Sequence, residues 1–391
     1  MDFALNEEQE MLRKMARDFL EQECPESLIR EVERGDKGYS PELWRKISEL
    51  GWTGMIFPEK YGGSGSSILD LAILYEEMGR AMLPSPHLST VVLCGLTILA
   101  AGSEEQKKEF MPKIANGDLI LALALTESDP SWDPVGVTVR AIPDQGDYVI
   151  NGTKLFVHDA HIADYLLCVT RTKDGAVTEE GITLFLVDAK SPGLNYTVLK
   201  TMADDKQCEV VFDKVKVPRK NMVGELNGGW STLAKVLQQG AVMTCAEMAG
   251  AGQRILELTL DYVKTRIQFD QPIGVHQHVQ EHCIQLLVNV DSSRWVTQQA
   301  AWKLSEDLSC DMEVAIAKAW TSEAHERACW RAHQVFAGVG YTTEIGVLPL
   351  YTRRAKVAQL YLGDAAHWRK KVAQQLDGWS LEMPKGKAFG I

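Results

Sequence analysis

No Cys-x-x-Cys pair occurs in the chain, and its eight cysteines, at 24, 94, 168, 208, 245, 283, 310 and 329, are scattered. No His/Cys cluster has zinc-ligand spacing, which excludes a zinc finger or ribbon. The cysteines read as buried free thiols in a reducing compartment. Long apolar runs are also missing. The longest, TVVLCGLTILAAG (Thr90–Gly102), is too short for a bilayer, whose crossing takes about 20 residues. Basic charge is scarce. The 41 Lys and Arg against 53 Asp and Glu give a net charge of -12, which argues against a nucleic-acid binder, since that needs a basic face. The opening stretch, MDFALNEEQEMLRKMARDFL, is acidic and helix-patterned rather than basic then apolar. No secretory leader is therefore expected, and the expected compartment is the cytoplasm.

What the chain does contain is the profile of a soluble globular protein: 45% apolar and 24% charged residues over 391 positions. That length suggests two or three domains, or one composite fold. Three zones differ in hydrophobic period. Residues 1–118 are helix-patterned. Asn6 and Gln9 form a capping box ahead of Met11, Met15, Phe19 and Leu20, and Ser40 with Pro41 starts a second helix that Gly51 ends. The Gly/Ser stretch EKYGGSGSS (Glu59–Ser67) reads as a flexible turn, since no P-loop Lys-Ser/Thr follows it. Residues 119–227 change to short runs rich in β-branched residues, punctuated about every 10 residues as in a small sandwich or barrel. Within them NGTKL (Asn151–Leu155) reads as a hairpin turn. Residues 228–391 return to helical period. One run extends from Trp230 to Phe269 before Pro272, and three more cover roughly 277–305, 311–337 and 352–376, enough for a four-helix bundle. The expected fold class is therefore α+β multidomain: an N-terminal helical domain, a middle β domain and a C-terminal helical bundle.

A Rossmann fingerprint is absent. The nearest string, AGVGYTTE (Ala337–Glu344), holds only G-x-G and follows a helix. Spacing alone yields no nucleotide site and no Ser/His/Asp set. Five longer strings are more informative: ALTESDPSWDP (Ala124–Pro134), YVINGTKLFVHDAHIADYLL (Tyr148–Leu167), VKVPRKNMVGELNGGW (Val215–Trp230), KTRIQFDQPIGVHQ (Lys264–Gln277) and QVFAGVGYTTE (Gln334–Glu344). In this order, over nearly the whole chain, they resemble the acyl-CoA dehydrogenase family.

That resemblance implies FAD as cofactor, an acyl-CoA thioester as substrate, α,β-dehydrogenation, transfer of electrons to an electron-transfer flavoprotein, and a homotetramer or dimer of dimers. It implies cofactor-binding roles for Thr126, Phe156, His158, Arg266, Phe269, Gln277, Gln334 and Gly338. The Thr126 hydroxyl would bond the flavin ring, although a strand-end Thr needs no such role. Arg266 would reach a diphosphate in a neighbouring subunit with its fork of donors, although an exposed helix-end Arg is equally ordinary. Phe269 would pack on the adenosine, unless it is a core aromatic. Gln334 and Gly338 would sit by the diphosphate, unless they only end a helix. Phe156 stands where the family often has Trp. His158 stands where it often has a Thr beside flavin N5, so His158 either tunes that atom or points into solvent. Asp270 and Ala337 replace glycines of the family pattern.

The larger departure concerns the base. The family removes an α-proton with a carboxylate, carried in most members by the Glu of Y-E-G-T. Here that string is Tyr361-Leu362-Gly363-Asp364. The minority position, early in the long third-domain helix, falls at Gly240, with Gln238 and Ala241 where an Asp and an Arg often stand. Three readings stay open. Asp364 is a displaced base, although two residues turn a side chain about 200° around a helix. Alternatively the base is another acid: Glu127, Asp133, Asp159 or Glu247. Of these Glu247 lies seven residues past Gly240, on the same face and about 10 Å along. Thirdly, the chain is a base-deficient subunit. The strings SWDP, FVHDAHIAD, CAEMAGAGQR, LPLYTRRAK and LGDAAHWR resemble a branch that includes α2β2 enzymes for bulky or cyclic acyl-CoAs. Asp364 is the first catalytic candidate and Glu247 the second. A non-redox CoA-thioester lyase or hydratase on the same fold is the remaining alternative.

Overall fold

The computed structural model describes residues 4–129, 131–173, 178–343 and 346–376. The end of the expected third domain, 377–391, and Glu344 lie outside the described residues.

The first zone is helical: α1 (Glu7–Glu23), α2 (Glu26–Arg34), α3 (Pro41–Glu49), α4 (Ile68–Arg80), α5 (Leu96–Ala101) and α6 (Glu104–Ala115). Asn6 caps α1 in a reciprocal box with Gln9, and the Ser40 hydroxyl accepts from Leu43 N with Pro41 at the first position of α3. The stretch Leu88–Gly95 is a buried π-helix that runs into α5. Its Thr90 hydroxyl donates to Leu121 O and accepts from Leu121 N, both at 3.1 Å. The apolar run therefore docks onto the first strand.

The middle zone is one eight-stranded sheet: β1 (Leu121–Ala124), β2 (Arg140–Asp144), β3 (Asp147–His158), β4 (Tyr165–Arg171), β5 (Ile182–Asp188), β6 (Leu194–Leu199), β7 (Gln207–Val217) and β8 (Met222–Val223). Its order is β6-β7-β3-β2-β4-β5-β8, with β1 parallel to β4. The expected turn at NGTKL is wrong. Those residues run inside β3, where the register slips between Ile150 and Gly152 and Gly152 takes a φ of +136°. The true turn is Gln145–Gly146, both left-handed, between β2 and β3. A Gly in a strand pattern marks a bulge as readily as a turn. A second slip, between Lys154 and Val157, coincides with left-handed Phe156 (φ +55°).

The last zone opens with α7 (Gly229–Thr265), 37 residues long. It stops before the expected Phe269 because β9 (Ile267–Gln268) and β10 (Gln271–Pro272) pair through the left-handed residues Phe269 and Asp270. Helices α8 (Gln277–Ser305) and α9 (Asp311–Phe336) pack beside α7. The single helix expected over 352–376 is two: α10 (Leu348–Ala358) and α11 (Ala365–Leu376). Between them Leu362 (φ +60°) and Gly363 (φ +101°) reverse the backbone. The Trp368 indole N–H donates to Leu362 O at 2.9 Å and pins this turn.

Candidate active site

The three zones meet at a cleft of about 160 Å³. The π-helix contributes Ser89, the end of β3 gives His158 and Asp159, and α7 gives Thr244 and Glu247. Arg354 of α10 and Tyr361, just past that helix, close the other side. Thr244 and Glu247 are three apart and share one face of α7.

Two carboxyls in this cleft hold protons unusually well. Burial pushes Glu247 up from the ordinary carboxylate value, and the charge of Arg354 only partly opposes it. Burial pushes Asp159 up to about 7, with Asp205 adding to the rise. The Ser89 hydroxyl donates to Asp159 Oδ2 at 2.6 Å and works against that rise. Asp159 is also left-handed (φ +61°), a conformation Asp tolerates better than most residues. The phenol of Tyr361 is held neutral by burial and by Asp159, Asp205 and Glu247. Its ring meets the His158 ring at 4.1 Å and the Trp132 ring at 5.8 Å. His158 Nδ1 lies 3.8 Å from Asp205 Oδ2. Burial lowers the His158 pKa, with Asp205 opposing.

The two positions where the resemblance leads one to expect a base face each other. Leu362 is 2% exposed. A Cβ built on Gly240 would lie 2.9 Å from Leu362 Cδ1 and 2.7 Å from Leu93 Cδ2. One apolar contact fills both positions. Asp364 is exposed and outside the cleft, and its Oδ1 accepts from His367 N at 2.8 Å, which caps α11. The first-ranked candidate from sequence is thus placed as a helix cap. Asp133 is also outside the cleft, 3.7 Å from Lys371 Nζ. Glu127 is buried and occupied: Lys154 Nζ donates to it at 2.6 Å, and Thr138 N and Val139 N donate as well. Of the acids weighed, Glu247 and Asp159 are the two that line the cleft.

The candidate cofactor residues form two groups. Thr126, buried at the end of β1, is tied to β3 by Leu155 N donating to Thr126 O at 2.8 Å. The bulge beside it turns the Phe156 ring out, 48% exposed. An apolar ring on an open sheet face, next to a strand-end hydroxyl and an imidazole, fits one edge and face of a flavin. The second group is remote. Arg266 ends α7, 19 residues after Glu247, about 28 Å along the helix. Arg266, Gln277, Gln334 and Gly338 are exposed, and Phe269 is 86% exposed at the hairpin tip. Nothing stands within 4 Å of a Cβ built on Gly338, so its backbone is open to close approach. A guanidinium, amides and an open glycine backbone suit a diphosphate. A single copy of the chain does not bring this group to the cleft. Among the described residues no cluster of His, Cys, Asp or Glu could hold a metal ion, and no helix is long and apolar enough to cross a membrane.

Ser89, Arg354 and Tyr361 were not among the residues singled out from the sequence. Ser89 sits at the edge of the apolar run, and no local pattern reports that it faces Asp159, 70 positions away.

Family models describing the acyl-CoA dehydrogenase N-terminal, middle and C-terminal domains match residues 6–118, 122–215 and 227–376. The structure of butyryl-CoA dehydrogenase from Megasphaera elsdenii superposes with a TM-score of 0.88 at 30% identity, covering 96% of this chain and 100% of that one. An FAD complex of PigA superposes with a TM-score of 0.89 at 26% identity, covering 96% and 99%. The caffeyl-CoA reductase–Etf complex subunit CarC of Acetobacterium woodii is 30% identical over 364 residues, 92% of this chain and 95% of that protein.

Proposed function

The chain belongs to the acyl-CoA dehydrogenase family, an FAD-dependent enzyme family, and from that premise we propose that it desaturates an acyl-CoA thioester between Cα and Cβ with Glu247 as the base. The observation that carries this reading is the pairing of an apolar plug, Leu362 on Gly240, with a half-buried acid at Glu247, seven residues further along α7 and lining the cleft. A proton acceptor works best when its pKa approaches the working pH. Burial moves Glu247 in that direction.

FAD, when bound, supplies the acceptor for the hydride that leaves Cβ. Thr126, Phe156 and His158 would hold its ring system. Arg266, Phe269, Gln277, Gln334 and Gly338 would hold the diphosphate and adenosine end from a second copy or a related subunit. The 28 Å or so between Arg266 and Glu247 on one helix supports that division of labour. Glu247 takes the proton when the Cα–H bond breaks, and the released pair forms the Cα–Cβ double bond. Asp159, kept largely protonated below about pH 7, limits the negative charge that builds beside it. Tyr361 and His158 close the cleft against water. An electron-transfer flavoprotein would take the electrons onward, a partner that the name of the CarC relative supports.

A second reading has one observation in its favour. Leu362 on Gly240 is what a subunit would show if it shaped the cofactor site for a partner that keeps the base. An anaerobic titration of the purified chain, followed at the flavin absorbance, separates the two. Straight-chain, branched and cyclic acyl-CoAs are added in turn. Bleaching by one of them supports a self-sufficient dehydrogenase. A colourless protein supports the partner-subunit reading, and a yellow one that none of them reduces supports either that reading or a non-redox lyase or hydratase.

A further inference from the structure

Helices α4 and α7 touch through their backbones where Glu247 leaves α7. A Cβ built on Gly79 would lie 2.0 Å from Glu247 O and 2.6 Å from both its C and Cα. The contact is reciprocal: a Cβ built on Gly250 would lie 1.7 Å from Glu76 O and 3.0 Å from Arg80 N. No side chain fits between the helices at this crossing. The depth to which Glu247 enters the cleft is thus set by the backbone of α4.

Helix α4 has little freedom to yield. Arg294 Nε donates to Glu76 Oε1 at 2.8 Å, and Arg17 grips Glu77 with two bonds, at 2.9 and 2.7 Å. The Tyr351 hydroxyl donates to Arg80 O at 2.6 Å. The Arg80 side chain donates to Glu257 Oε2 on α7 at 2.8 Å. The first three sets of bonds clamp α4 to α8, α1 and α10, and the last ties it to α7 about ten residues past Glu247. A methyl group at 79 is relieved by the two helices parting at this crossing, and Glu247 sits on the stretch of α7 that parts.

We propose that Gly79 is a positioning residue for Glu247: its missing side chain lets α4 act as the stop that fixes where the base carboxylate stands in the cleft. This rests on the reading of Glu247 as the base. A general base must be held to within about 0.5 Å, and a displacement of about 1 Å lowers the rate by up to about a hundredfold. A methyl group that has to move more than an ångström to reach ordinary contact falls in that range.

The test uses the FAD-loaded enzyme and the 3-thia analogue of whichever acyl-CoA bleaches it. Sulfur in place of Cβ blocks hydride loss. The base still removes an α-proton and, after exchange with solvent, returns a deuteron in D2O, with no net oxidation. Proton NMR follows the loss of the α-signal, and the analogue's Kd is read separately. Gly79→Ala is expected to slow exchange per bound flavin about 10- to 100-fold while the Kd stays within about threefold. Exchange at the wild-type rate with only a lower Tm would overturn the proposal, since Gly79 would then be packing alone. Gly250→Ala drives the same wedge from the opposite helix. If Gly79→Ala loses its flavin, slowed exchange in Gly250→Ala supports the proposal and wild-type exchange overturns it. Glu247→Gln is run alongside. If it exchanges at the wild-type rate, the assignment of the base has failed and the inference falls with it, whatever Gly79→Ala does.

Discussion

Replacing Lys154 by Met removes the cation from a fully buried pair. Lys154 is 0% exposed and its Nζ donates to Glu127 Oε1 at 2.6 Å and to Leu125 O at 3.0 Å. Burial pushes the Glu127 carboxyl up, but the Lys154 charge and hydrogen bond, with the donors of Thr138 and Val139, outweigh it and hold the group below its ordinary value. Without Lys154 the carboxylate keeps its burial and loses its counter-charge. Breaking one side of a buried pair costs about 3–5 kcal/mol. The damage reaches the site, because the pair joins the end of β1 to β3, the segments that carry Thr126, Phe156 and His158. Lys154→Met should therefore lower Tm, reduce flavin content, and leave the double variant Lys154→Met with Glu127→Gln the more stable of the two. The pH dependence has a definite sign. In the single variant the Glu127 pKa rises, so protonation relieves the penalty, and the stability gap to wild type should narrow as pH falls from 8 to 5. The assay is chemical unfolding followed by near-UV and flavin signals across that range. A loss under about 1 kcal/mol, or a gap that does not narrow in acid, would refute the reasoning.

Three other outcomes follow from single groups. Asp364→Asn should keep turnover within about twofold and stability nearly unchanged, since Asn caps as well as Asp, whereas Asp364→Ala costs about 1 kcal/mol; a large kcat loss in the Asn variant would return Asp364 to the chemistry. His87 and His325 are both lowered to about 4 by burial, with the Trp52 carbonyl bond opposing at His87. Their contribution is complete above the ordinary histidine pKa of about 6.5 and is lost as pH falls through 4, roughly 3 kcal/mol for each; a Tm that stays flat from pH 6.5 to 4 would contradict this. Asp159 acts in the opposite sense, since its raised pKa makes the folded state lose stability as pH rises toward 7. Asp159→Asn should accordingly raise Tm at pH 8 relative to wild type, and a lower Tm there would count against its burial as the cause.

Much of the fold is legible in local signals. The caps at Asn6 and Ser40 and the change from helical to strand period near residue 118 depend on neighbours in sequence, and the structure keeps them. NGTKL failed because a glycine in a strand is compatible with a turn or a bulge, and pairing with β7 decides between them. The break between α10 and α11 was invisible to periodicity because it hangs on a left-handed Leu362 held by Trp368. The departure at Leu362 itself was readable by resemblance. What replaces the missing acid was not, since Asp364 and Glu247 are indistinguishable until burial is known. The Glu127–Lys154 pair shows the same limit. Both residues lie in strings quoted for the resemblance, yet in sequence Glu127 is one more candidate base, and only the fold of β3 puts Lys154 against it. Ser89 and Asp159 illustrate it from the other side, as their 2.6 Å contact joins two zones of the chain.

The central claim is that Glu247 removes the α-proton. The most direct test is single-turnover reduction of the FAD-loaded Glu247→Gln variant by an acyl-CoA that bleaches the wild type. Glutamine keeps the shape and cannot take the proton, so the account predicts bleaching slowed by about 10²- to 10⁴-fold, with flavin content and thioester affinity retained. Bleaching at the wild-type rate would contradict it.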